Sequence, residues 1–417
     1  MRRPPRAHSV RRFFARAGPG VIAGAADDDP SGIATFTIAG AVLGLQILWT
    51  ALFTWPLMAA AQMMCARVGM ITGRGIIGAL RMKLPRALVV VLSAALFLTN
   101  MLNIGADLTG MGEASEMLTG ISSRWFVLGY GSAIAIATVR LPYGKLARIF
   151  KWLALVLASY IVAAILLRPD WADVLREAVV PRLPPTRRGW MILIGLIGTT
   201  FSPYFFMWQA SHEVEEKKQV RNEDELPGAR KSDVWFRVLD VGVGTLFSRV
   251  VMFFIIVTAA LTLHRNGVVI ETARQAAEAL GPLSGAAKLL FTVGLLAVGF
   301  LVIPVLSGSA AFAFAEAIGW EQGLDRKLRN ARQFYAVLIL CTAGGMLLEL
   351  TPIKPMQALF WSGVINGFLA PLLLLGVLLV ASDANIMLGR ASPKLECAIV
   401  AASIVAMFAC MAMLVIG

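Results

Sequence analysis

Asp27-Asp28-Asp29-Pro30-Ser31-Gly32 sets three carboxylates and a helix breaker inside a stretch that is otherwise apolar, Gly18 to Ala26 on one side and Ile33 to Leu45 on the other. A continuous helix would hold the acids at the middle of a bilayer, where each charge costs roughly 2.5 to 3.5 kcal/mol. Pro30 lacks a backbone donor and clashes with the preceding turn, and Gly32 accepts almost any backbone angle, so the helix is expected to unwind here. Unwound backbone at membrane depth is tolerated only where it lines a protein cavity. The stretch therefore reads as a cation site.

Composition places the rest of the chain around it. Of 417 residues, 58% are hydrophobic and only 15% charged, and the mean hydropathy is +0.74. These values belong to a polytopic, all-α membrane protein rather than a soluble domain. The arginine-rich residues 1–17 are not followed by a short apolar core and small-residue cleavage site, so no removable signal peptide is expected. The net charge of +13 is spread between apolar segments; no nucleic-acid module accompanies it, and the lipid bilayer is the expected surrounding. Cys65, Cys341, Cys397 and Cys410 stand singly and are expected to be free thiols.

Apolar runs of membrane-spanning length predict eleven segments, at about 18–44, 47–69, 87–110, 125–140, 147–167, 190–211, 238–263, 286–315, 333–350, 356–381 and 395–417. The eighth is long enough to tilt or to bend at Pro304. Alternate loops carry 27 Lys and Arg on the N-terminal side against 10 on the other, so the N-terminus is expected in the cytoplasm and the protein in the cell (inner or plasma) membrane. Residues 1–17 form a cytoplasmic tail, 18–381 a transporter core with repeats at about 18–167 and 190–381, and 395–417 an additional helix. Arg249 falls inside segment 7 and is expected to face protein or water.

Segment 6 contains Thr199-Thr200-Phe201-Ser202-Pro203-Tyr204, a proline with hydroxyls near the middle of an apolar run. A kinked but continuous helix explains a lone Ser-Pro. Its position five segments after the first interruption says more, because interrupted helices at matching places in two halves point to a transport site between inverted repeats. Five segments per repeat make the second half inverted. Carboxylates, carbonyls and hydroxyls would then meet at midplane as an all-oxygen site suited to a hard cation, and no bound cofactor is implied.

At these residues, and in GPGVIAGAADDDPSGIATFTIAGAVLGLQILW with ARVGMITGRG after segment 2, the chain resembles the natural resistance-associated macrophage protein family of divalent-metal transporters. The resemblance implies a leucine-transporter-type fold, a five-plus-five inverted repeat with helices 1 and 6 broken. The family's segment 1 motif is Asp-Pro-Gly-Asn, and on Pro30 its Asp matches Asp29 while Gly32 stands where the Asn ligand would be. Its segment 6 motif Met-Pro-His is replaced by Ser202-Pro203-Tyr204, with Thr199 at the position of a metal-binding carbonyl. Loss of the thioether removes a soft ligand that favours transition metals, and the smaller residues leave room for water, which Mg²⁺ retains. Tyr204 does not titrate near neutral pH, and Gly110 replaces the second acid of a pair that Asp107 begins. The pattern is most similar to the family's magnesium-transporting branch, which implies uncoupled Mg²⁺ uptake by alternating access. The alternatives are proton-coupled Mn²⁺ or Fe²⁺ transport and symport of a small organic substrate on the same fold.

The expected metal site is thus Asp29, Asp28, Gly32, Thr199 and Ser202, with Asp27 at the entrance. For Thr199 and Ser202 the competing role is to satisfy freed backbone groups. Asp107, near Asn100 and Asn103, either lines the pathway or pairs with Arg249. Asn366 either joins the cavity or makes an interhelical hydrogen bond. Glu213 and Glu216 either end a solvated helix or attract cations in a vestibule. His212-Glu213 lacks the second histidine of a zinc-protease motif, and nothing else suggests an enzyme. Trp190 and Trp361 are expected at the membrane interfaces.

Overall fold

The computed structural model describes residues 29–140, 155–220, 231–268, 270–324, 326 and 328–416. The tail, Asp27, Asp28 and the first part of segment 5 lie outside them. Among the described residues the regular structure is entirely helical.

Segment 1 appears as α1 (Pro30–Leu43), segment 2 as α2 (Trp49–Thr72) and segment 3 as α4 (Arg86–Thr119), with the short α3 (Ile76–Leu80) between the last two. Segments 4 and 5 give α5 (Ser123–Arg140) and α6 (Ser159–Leu166), and α7 (Trp171–Val179) follows. Segment 6 divides into α8 (Arg187–Thr200) and α9 (Pro203–Val220). Then come α10 (Lys231–Ala259), the short α11 (Ala273–Ala277), α12 (Ala287–Ile318), α13 (Arg332–Met346), α14 (Pro355–Ala381) and α15 (Lys394–Ile416). Eight spans among the described residues are long and apolar enough to cross a membrane. The third runs nine residues beyond its expected end, and α12 is a single long helix with Pro304 inside it.

The helix start at Pro30 and the break in segment 6 lie where the sequence places them. Asp29 is extended at φ −65°, ψ 167°, and its carboxylate caps α1 by accepting from the Gly32 amide; an Asp N-cap followed directly by Pro is a strong helix start. α8 ends at Phe201 with φ −108°, ψ 49°, and Pro203 begins α9. Without an amide hydrogen, Pro203 cannot continue the α8 ladder.

α4 runs antiparallel to α12, pinned by Ser93 Oγ donating to the Ala313 carbonyl at 3.2 Å, Asn100 Nδ2 to the Leu306 carbonyl at 2.9 Å and Thr292 Oγ1 to the Ala114 carbonyl at 3.1 Å. α8 crosses α14 with almost no separation: a Cβ on Gly198 would lie 2.0 Å from the Gly363 carbonyl oxygen and 2.3 Å from the Gly367 nitrogen. Side chains such as Phe53, Val91, Leu98, Ile136, Leu340 and Val405 face outward and exposed, as a lipid-facing surface requires. Trp361 is exposed there, but Trp190 is buried inside the bundle, which corrects its expected interfacial place. Cys65 and Cys341 are buried free thiols, and Cys397 and Cys410 are free and partly buried.

Candidate metal centre

The start of α1 and the break between α8 and α9 meet at Asp29. Its Oδ1 accepts from the Gly32 amide and the Ser31 hydroxyl, both at 2.6 Å, and Tyr204, in the first turn of α9, places its hydroxyl 3.4 Å from Oδ2. Asp29, Ser31, Thr199, Ser202 and Tyr204 are all buried. Gly32 enters the centre through its amide, which holds the Asp29 carboxylate. A Cβ at this position would stand 3.3 Å from Asp29 Oδ1, so any side chain crowds the carboxylate it serves.

At the other break, Ser202 Oγ donates to the Thr199 carbonyl at 3.0 Å and less closely to that of Gly198 at 3.3 Å. Thr199 turns its hydroxyl back onto the Gly195 and Leu196 carbonyls, while its own carbonyl accepts from Ser202. The hydroxyl of Ser202 therefore has the satisfying role that competed with ligation, while its oxygen keeps lone pairs directed into the break. The partial negative charge at the end of α8 adds to the attraction for a cation.

Asp107 comes up from α4 into the same region. It is fully buried, within electrostatic reach of the Asp29 carboxylate and near the Ser31 backbone amide. It does not pair with Arg249, whose guanidinium donates to Thr200 Oγ1 at 2.7 Å and Ser248 Oγ at 2.8 Å. Two buried carboxylates that feel one another cannot both stay ionised without a proton or a cation to offset the repulsion.

Cavities approach from the two ends of the bundle. One of about 250 Å³ is lined by Ile38, Arg188, Glu271, Gln357 and Phe360, and another of about 230 Å³ by Arg74, Arg81, Lys218, Glu316 and Trp320. Asp29 and Asp107 are fully buried and line neither of these two cavities.

Glu213 and Glu216 belong to an ion-pair network: Arg237 binds Glu213 at 2.7 Å, Glu216 at 2.5 Å and Asp240 at 2.8 Å, one guanidinium among three carboxylates. Glu213 is buried, not part of a solvated helix end. Asp27 and Asp28 lie outside the described residues. Asn366 is buried with neither side-chain atom bonded, so it does not make the interhelical hydrogen bond. Among the described residues no three His, Cys, Asp or Glu side chains cluster as a metal cage, in keeping with a centre that relies on backbone and hydroxyl oxygens.

The reading from sequence did not include Ser31, although a hydroxyl two residues past a capping Asp was the available signal. It also gave no partner to Glu213, because Arg237 comes from another helix.

A family model described as natural resistance-associated macrophage protein-like matches residues 20–417. The chain belongs to the Nramp family. Among curated Nramp relatives, a protein of Caldanaerobacter subterraneus subsp. tengcongensis named divalent metal cation transporter MntH is 23% identical over 391 residues, 93% of this chain and 89% of that one. A Deinococcus radiodurans protein of the same name is 27% identical over 395 residues, 91% and 84% of the two chains. Crystal structures of an Eremococcus coleocola manganese transporter align with TM-scores of 0.74 and 0.77 at 17% identity, covering 98% of this chain and 87% of theirs. This Nramp chain therefore shares the all-helical fold of that transporter.

Proposed function

We propose that this Nramp protein carries divalent metal cations across the cell membrane by alternating access, with the ion held between Asp29, Asp107, the Thr199 carbonyl and Ser202. The observation that carries this reading is the convergence of two buried carboxylates on two helix breaks, a site at the interface of inverted repeats. Asp28 and Asp27 would extend it toward the entrance. Residues 1–17 would be cytoplasmic, 18–381 the rocking core and 395–417 an appended helix.

The names of the relatives, divalent metal cation transporters and a manganese transporter, support the Mn²⁺ or Fe²⁺ alternative more directly than a magnesium reading. They give no support to an organic substrate. The residues of this chain favour including Mg²⁺ in the substrate range. Every candidate donor is oxygen and no thioether is present at Ser202, so the preference for soft, late transition metals is lost. Tyr204 and Gly110 stand where proton-handling groups would be needed, which favours uncoupled movement. A membrane potential supplies about 2.3 kcal/mol per charge per 100 mV, enough to drive a divalent ion inward without a proton.

Purified protein in liposomes, with dyes for Mg²⁺, Mn²⁺ and pH, tests the reading. Uptake of both metals without acidification is expected. Mn²⁺ uptake accompanied by protons, with Mg²⁺ excluded, would establish the alternative instead.

A further inference from the structure

We propose that Asn103 and Asn366 form an amide station one helical turn from the Asp29 and Asp107 carboxylates, which holds the water shell of a partly hydrated divalent cation. The inference rests on the transport reading above and adds to it a second place where the ion is bound.

The two side chains come from helices distant in sequence, and register brings them together. α14 starts where α4 ends: Lys354 pairs with Glu271, and Ala273, two residues on, donates its amide to Glu113 of α4 at 3.1 Å. Further along, a Cβ on Gly110 would lie 2.8 Å from Leu359 Cδ1. The helices are therefore antiparallel, with residue 110 opposite 359. Seven residues on, about 10 Å along each axis, Asn103 stands opposite Asn366, and Asp107 stands opposite Ser362 between them. Positions 103, 107 and 110 share one face of α4, and 359, 362 and 366 share one face of α14. Because Gly110 and Leu359 are in contact, these are the faces that meet.

Both asparagines are fully buried, and none of their four side-chain polar atoms has a hydrogen-bond partner in the protein. Asn100, one turn earlier on α4, differs: it bonds the Leu306 carbonyl and Ser309 Oγ, a structural role. Two opposed, buried and unbonded amides would be strongly unfavourable in a dry gap, and a polar site of this kind takes up water. Each amide oxygen accepts and each nitrogen donates, so the pair can bond the waters of an ion whose inner shell is only partly removed. Such a shell is what Mg²⁺ keeps. The carboxylates supply the charge and the amides carry the retained water.

The test places single cysteines, Asn103→Cys and Asn366→Cys, in a background whose four native cysteines are replaced by alanine. Each is treated with a small, positively charged, water-soluble methanethiosulfonate. Both should react, and at ten times its Kd Mg²⁺ or Mn²⁺ should slow the reaction about ten-fold; a cysteine at the apolar control Ala370 should not react. The double variant Asn103→Leu/Asn366→Leu should remain folded and lose about ten-fold in uptake of whichever of the two ions the unmodified protein carries, the worth of about one hydrogen bond. Cysteines that fail to react, reaction unaffected by both ions, or full uptake in the leucine variant would each overturn the station. Absence of Mg²⁺ and Mn²⁺ uptake by the unmodified protein would instead overturn the transport reading, since labelling and protection are measured without transport.

Discussion

Tyr204 and Asp29, 175 residues apart, hold the two helix breaks together, with the phenol hydroxyl 3.4 Å from Asp29 Oδ2. The bond is long, and the carboxylate's shorter bonds come from its own helix start, the Gly32 amide and Ser31 hydroxyl at 2.6 Å. The carboxylate is thus oriented by α1 and only leaned on by α9.

Removing that hydroxyl should therefore be mild. Tyr204→Phe is expected to keep uptake within a few-fold of the unmodified protein and to change stability by less than about 1.5 kcal/mol, the upper range for a neutral hydrogen bond. Liposome uptake and thermal unfolding in detergent check both values.

Asp29 itself should be indispensable. Asp29→Asn keeps the size of the side chain and an oxygen able to accept from Gly32, but removes the charge; uptake is expected to fall at least about 100-fold, some 2.7 kcal/mol of cation stabilisation. Asp29→Ala also removes the cap of α1, about 1 kcal/mol more in stability. Comparing the two in uptake and thermal scans separates charge from helix start. Full uptake in Asp29→Asn would remove this carboxylate from the metal centre.

The crossing of α8 and α14 leaves no space for a methyl group. Gly198→Ala would drive a Cβ to 2.0 Å from the Gly363 carbonyl oxygen, and because backbone atoms are on both sides neither can rotate away. A loss of about 1 to 3 kcal/mol or more is expected, with reduced uptake because Thr199 is displaced. Gly242→Ala, where nothing lies within 4 Å, is the neutral comparison.

Arg237 answers three carboxylates, of which Glu213 and Asp240 are 2% and 0% exposed. Arg237→Leu should cost about 3 to 5 kcal/mol by leaving buried charge unpaired. Glu213→Gln should cost less, because Asp240 and Glu216 still hold the guanidinium. Thermal unfolding of both variants gives the order, and equal losses would contradict this account of the network.

The sequence by itself determined the class of fold and where helices begin at Pro30 and Pro203. Apolar runs of bilayer length, two helix breakers five segments apart and acids too costly to leave in lipid sufficed, because the bilayer forces every backbone group to find an internal partner. Asp29, Ser202 and the helix starts at Pro30 and Pro203 were legible because capping and proline chemistry act within a few residues. Only the tertiary structure decided which charges are answered and which are not. Arg237 reaches Glu213 and Glu216 from a neighbouring helix, Arg249 serves Thr200 and Ser248 rather than Asp107, and Asn100 is bonded while Asn103 and Asn366 are not. Those outcomes depend on the relative rotation and register of packed helices, set by close contacts such as Gly198 with Gly363 and Gly110 with Leu359, and helical periodicity within one segment contains no information about its neighbour.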